Sequence, residues 1–109
     1  MAVYHIVAFK TSSPETIPQL TEGFLNLPSV CLHPSTKKSY IKIAKGGKQV
    51  STEGKDHGMQ VCFIMEFESR EDLAYYLDED PVHEQFKQKA GKEYGVLDVV
   101  AMDFVEGAY

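Results

Sequence analysis

Apolar and polar residues recur with a definite period along most of this 109-residue chain, and the period changes from segment to segment. Val3 to Lys10 alternates, with Val3, His5, Val7 and Phe9 on one face and Tyr4, Ile6, Ala8 and Lys10 on the other, which predicts a first strand. After the Thr11-Ser12-Ser13-Pro14 break, Ile17, Leu20, Phe24 and Leu27 are spaced by three and four, the stripe of an amphipathic helix. Pro18 fits its first turn and Pro28 is expected to end it. A loop follows, then a short strand over Tyr40 to Ala44 and a Gly46-Gly47 turn. The stretch onward to Gly58 is polar and reads as a mobile loop. Met59 to Glu68 alternates strongly and predicts a third strand. Ser69 caps a helix carrying Leu73, Tyr76 and Leu77, with an acid, Asp72, three residues on. Asp80-Pro81 restarts the helix, because Asp caps well and Pro suits the first helical position. Val82, Phe86 and Ala90 mark its buried side, Gly95 closes it, and Val96 to Val105 is a fourth strand.

The order β-α-β-β-α-β, with the second helix in two pieces, predicts a ferredoxin-like α+β fold: one four-stranded antiparallel sheet with helices on one face. The length suits one domain over residues 1–109. Two helical units cover only one face of the sheet. The other carries Tyr4, Ile6, Ala8, Cys62, Ile64, Val100, Met102 and Phe104, too apolar to leave wet. A homodimer formed through the sheet faces is therefore expected.

Composition narrows the function classes. With 43% hydrophobic and 25% charged residues the chain is an ordinary globular sequence. A net charge of −5 argues against nucleic acid as the main partner. Lys37, Lys38, Lys42, Lys45 and Lys48 have no arginine among them and read as a solvated strand edge. Lys45-Gly46-Gly47-Lys48 lacks the following Ser or Thr of a phosphate loop. Cys31 and Cys62 form no CxxC pair and the histidines are dispersed, so no metal site is expected and a reduced, cytoplasmic setting fits. Neither a signal peptide nor a membrane span is expected, since Val3 to Phe9 is short and interrupted by His5.

Few residues remain that can carry chemistry. His83 falls in the first turn of the helix capped by Asp80, where the helix dipole disfavours imidazolium and a neutral general base results. Asp80 as a direct partner would restore the cation, and a first-turn histidine can also be a simple surface residue. Tyr76 shares a stripe with Leu73 and points inward, either as a core tyrosine or as a phenol that binds a carbonyl. His5 faces the helices, where it needs a hydrogen-bond partner, and Asp103 on the fourth strand is the expected one. That pair either orients an imidazole for function or is structural. Phe24, Leu27, Phe63, Leu77 and Phe86 are core by default, and would equally wall a pocket for a hydrophobic ligand. His33 and His57 sit in loops and are assigned to solvent.

The pieces His5-Ile-Val-Ala-Phe-Lys10, Phe67-Glu-Ser69, Tyr76-Leu77, Pro81-Val-His83 with Phe86, and Met102-Asp-Phe104 together resemble the stress-responsive A/B barrel family over nearly the whole chain. The opening Met-Ala-Val-Xaa-His is similar to the plant polyketide cyclases of that family. The resemblance implies a homodimeric α/β barrel, no cofactor, and a pocket between helices and sheet. There a tyrosine and a histidine act as acid and base on a poly-β-keto substrate, with Tyr76, His83 and the strand histidine His5 in the matching positions. Three departures stand out. The family's His-Pro-Xaa-His is here Glu79-Asp80-Pro81-Val82-His83, with an extra residue after Tyr76. Its Tyr-Thr-His before the third strand is Met59-Gln60-Val61. The loop from Pro28 to Gly58 is longer. Two readings are carried forward: a cofactor-independent cyclase or isomerase, and a non-enzymatic stress-response dimer.

Overall fold

The computed structural model describes residues 1–109. Its elements run β1 (Val3–Thr11), a 3₁₀ turn (Pro14–Thr16), α1 (Ile17–Val30), β2 (Ile41–Lys48), β3 (Val61–Phe67), α2 (Arg70–Asp78), α3 (Pro81–Lys92) and β4 (Val96–Val105). All pairings are antiparallel and the strand order is β2-β3-β1-β4, the expected ferredoxin-like α+β arrangement.

Strand alternation translates directly into burial. Val3, His5, Val7, Phe9 and Thr11 of β1 and Val61, Phe63, Met65 and Phe67 of β3 are buried, while the residues between them are not. Against this face pack Leu20, Phe24 and Leu27 of α1, Leu73 and Tyr76 of α2, and Phe86 and Ala90 of α3. The caps form as their residue types require. Ser69 Oγ accepts from the Asp72 amide at 3.1 Å, and an Asp80 carboxylate oxygen accepts from the Val82 amide at 2.9 Å.

Four boundaries differ from the sequence expectation. β2 runs on to Lys48 and takes in both Gly46 and Gly47, which were expected to form a turn. Pairing with β3 decides this: a Cβ on Gly46 would lie 2.2 Å from the Cys62 carbonyl oxygen, so glycine is required by close approach, not by a turn. α1 continues two residues beyond Pro28, because only that residue lacks an amide and Cys31 still donates to the Leu27 carbonyl at 2.8 Å. β3 is shorter at both ends than Met59 to Glu68, although Met59 is buried. α3 stops at Lys92, and Gly95 with its positive φ of 65° turns the chain into β4. The polar stretch before Gly58 is tied back by Gln49 Nε2 donating to Asp56 at 2.7 Å.

The sheet's other face is bare. Val100, Met102 and Phe104 are 41%, 62% and 45% exposed, Tyr4 stacks on Phe104 at 4.9 Å, and Ile6, Ala8 and Ile64 are half-buried beside them. No helix of the protein is long and apolar enough to cross a membrane.

Candidate functional site

α3 begins where α2 ends, and the junction builds the site. The Tyr75 carbonyl accepts the amides of both Glu79 and Asp80 at 2.9 Å, which turns the chain sharply at the end of α2. Asp80 then caps α3 and is itself buried. Its second carboxylate oxygen accepts from the Tyr40 hydroxyl at 2.5 Å. This carboxylate is therefore spent on Val82 and Tyr40, and not on pairing with His83.

His83, in the first turn of α3, folds back onto Tyr76 of α2. The two rings stack with centroids 3.8 Å apart and an interplanar angle of 17°. Its Nδ1–H donates to the Tyr76 backbone carbonyl at 2.7 Å. A carbonyl only accepts, so this bond sets the tautomer and leaves Nε2 with the free lone pair. Burial pushes the His83 imidazole down to about 4, helped by Lys87 and His5, against the opposing pull of the Tyr76 carbonyl and Asp80. The imidazole is therefore neutral near pH 7, with desolvation as the main cause.

Tyr76 is 1% exposed and its hydroxyl is the one buried side-chain polar atom without a hydrogen-bond partner. An orphaned hydroxyl in an apolar site costs on the order of 1–3 kcal/mol, so its persistence calls for a reason. Burial first, then the neighbouring Cys31 and Asp80, raise its pKa well above the ordinary phenol value, so the phenol keeps its proton. His5 meets the Tyr76 ring edge-on at 5.9 Å, and its Nδ1–H donates to Asp103 at 2.6 Å across the β1–β4 pair in which the two residues are opposite. Asp80 also raises Tyr40, after burial, and Cys31, which burial pushes up to about 12.

These groups border a cavity of about 340 Å³ between the sheet and α3, a size that suits a small ligand. Of the residues singled out in the sequence, His5, Phe24, Tyr76, Leu77, His83 and Phe86 line it. Leu27 and Phe63 do not: both are packed in the core, where Phe63 stacks on Phe24 at 4.2 Å. Asp103 stands behind His5 and does not line the cavity itself. The sequence reading missed Val7, Phe9, Lys87, Ala90, Gly91, Val96, Val99 and Ala101. Helical spacing from His83 could have found Lys87, and alternation from Asp103 could have found Ala101 and Val99. His33 is not a solvent residue. It is half-buried against Tyr40 and Tyr75, with Nε2 3.8 Å from Asp72. No group of three or more His, Cys, Asp or Glu comes together in a way that could hold a metal ion.

An antiparallel β2-β3-β1-β4 sheet with its helices and cavity on one side defines a ferredoxin-like α+β protein. Within that class the chain belongs to the stress responsive A/B barrel domain family, whose profile matches residues 3–106. The chain is similar to a protein of Arabidopsis thaliana with a crystal structure, at 27% identity and a TM-score of 0.79, covering 98% of this chain and 97% of that one. It is also similar in fold to a hydroxynitrile lyase from Passiflora edulis, at 18% identity and a TM-score of 0.75, covering 99% and 96%. A dimeric ferredoxin-like protein of unknown function from Bacteroides fragilis matches at 18% identity and a TM-score of 0.69, covering 94% of each chain. No curated protein matches the sequence significantly.

Proposed function

We propose that the protein is a cofactor-independent enzyme that moves a proton next to a carbonyl group of a small hydrophobic compound. His83 Nε2 takes the proton as general base. The Tyr76 hydroxyl donates to the carbonyl oxygen and to the enolate oxygen that forms as the proton leaves. His5, held by Asp103, orients the bound carbonyl compound. The enolate carbon then attacks a second carbonyl of the same molecule, whose oxygen takes the proton held by His83 as the ring closes, or the enolate is reprotonated by His83 at another carbon. The outcome is cyclisation or isomerisation of the kind the resemblance to plant polyketide cyclases suggests. Phe24, Leu77 and Phe86 supply the apolar wall.

The observation that carries this reading is the buried Tyr76, its hydroxyl left without a protein partner and its ring stacked on a neutral imidazole, with both residues lining a cavity. A ligand carbonyl would satisfy that hydroxyl. The hydroxynitrile lyase from Passiflora edulis supports an enzymatic use of this fold. A non-enzymatic stress-response dimer would be better served by a filled core and a satisfied tyrosine. The bare sheet face supports a homodimer, in line with the dimeric neighbours, and two unpaired thiols suit the cytoplasm.

The test follows binding and turnover of a panel of enolisable ketones and β-diketones by calorimetry and by solvent deuterium exchange at the α-carbon. His83→Ala is expected to abolish exchange while retaining binding within a few fold. Tyr76→Phe is expected to weaken binding about tenfold, the loss of one buried hydrogen bond. Exchange unchanged in both variants removes the assigned roles.

A further inference from the structure

Lys87 has no place in the chemistry above, yet it lines the same cavity. It is the only lysine or arginine there, and no aspartate or glutamate joins it on the lining. It stands one step from His83 along α3: residues four apart share a side of a helix and are about 6 Å apart along its axis. The next step, Gly91, has no side chain, and a Cβ there would meet nothing within 4 Å, so the rim beyond Lys87 is open.

The partner Lys87 has now is a weak one. Its ammonium lies 3.0 Å from Glu84, with the two side chains 49% and 57% exposed. Exposed pairs of this kind contribute about 1 kcal/mol at most, so the contact is readily exchanged for another anion. The rest of the cavity near it, Val7, Phe86, Val99 and Ala101, is apolar. Since no Asp or Glu lines the cavity, Glu84 outside it is the carboxylate with which a ligand anion would compete.

Building on the carbonyl-site reading, we infer that the natural ligand is an oxo acid, whose carboxylate exchanges with Glu84 on the Lys87 ammonium at the rim while its carbonyl lies under Tyr76. Carbonyl and carboxylate are then separated by only a few carbons, to match the helical step between His83 and Lys87, and the apolar remainder lies toward Val99. The chain as a whole is negative at −5, so long-range attraction does not favour an anion. Recognition rests on the local Lys87 contact, and its salt dependence is correspondingly shallow.

A matched pair tests this: 4-oxo-4-phenylbutanoate and its methyl ester, titrated calorimetrically into the intact protein at low ionic strength and pH 7. The acid is expected to bind about fivefold more tightly than the ester, the yield of one partly exposed ion pair. Lys87→Met keeps the apolar stem and should bring the acid down to the ester's affinity without moving the ester. Lys87→Arg should retain the preference, and Glu84→Gln should tighten the acid about twofold by freeing the ammonium. Acid and ester binding wild type alike, or a preference that survives Lys87→Met, overturns the oxo-acid assignment while ester binding leaves the carbonyl site standing. Failure of both compounds to bind the wild type overturns both readings.

Discussion

At the scale of single residues, the site is a contest between burial and hydrogen bonding, decided differently for each group. His83 keeps one hydrogen bond and loses its proton, Tyr76 keeps its proton and lacks a bond, and Asp80 takes two donors at once. The His83 case has a measurable consequence. Its folded pKa of about 4 lies below the ordinary 6.5, so between those values the unfolded chain binds a proton that the folded chain refuses. The stability held in this group is complete above pH 6.5 and is lost as pH falls toward 4, on the order of 3 kcal/mol in all. Urea unfolding at pH 7 and pH 4.5 should show that loss, and His83→Gln should flatten it. The ring protons of His83 should titrate near pH 4 by NMR; a midpoint near 6.5 removes the neutral base.

Elements are placed here by period and caps, and adjusted by their neighbours. β1, β4, α2 and α3 follow the alternation and capping residues that the sequence displays, because those signals are local. β2 does not, since Gly46-Gly47 reads as a turn until β3 lies beside it. The close approach of Gly46 to Phe63 and the Cys62 carbonyl predicts that Gly46→Ala is costly although its φ is not positive. Backbone and an aromatic ring would both have to shift, at about 2 kcal/mol. Gly47→Ala, with nothing within 4 Å, should be near neutral. Thermal unfolding of the two variants compares them directly, and equal midpoints would show that the strand yields without strain.

For the whole molecule, the decisive feature is a sheet with helices on one face and apolar side chains on both. Burying Met102, Phe104 and Val100 against the same residues of a second copy removes the exposed patch, at roughly 25 cal/mol per Å² of apolar surface. Sedimentation should give a mass of two chains at micromolar concentration. Met102→Asp, at the most exposed of these apolar strand positions, should yield monomers that retain the cavity residues in place. A wild type that stays monomeric rules out the sheet-burial argument.

The periodicity and caps alone determined the ferredoxin-like order, the two faces of the sheet and the inward direction of His5 and Tyr76, because each follows from backbone geometry within a few residues. The packing of α3 decided that His83 is buried and Val82 only half-buried. The His5–Asp103 bond was legible for the same reason, as two alternating strands that must pair. Only the tertiary structure decided that Leu27 and Phe63 are core, that Lys87 and Val99 border the cavity, and that Asp80 serves Tyr40 rather than His83. Those outcomes depend on how far apart α3 and the sheet stand and on where the Tyr40 segment lies. Such distances are set by packing among residues remote in the chain, to which a local pattern of apolar and polar positions is blind.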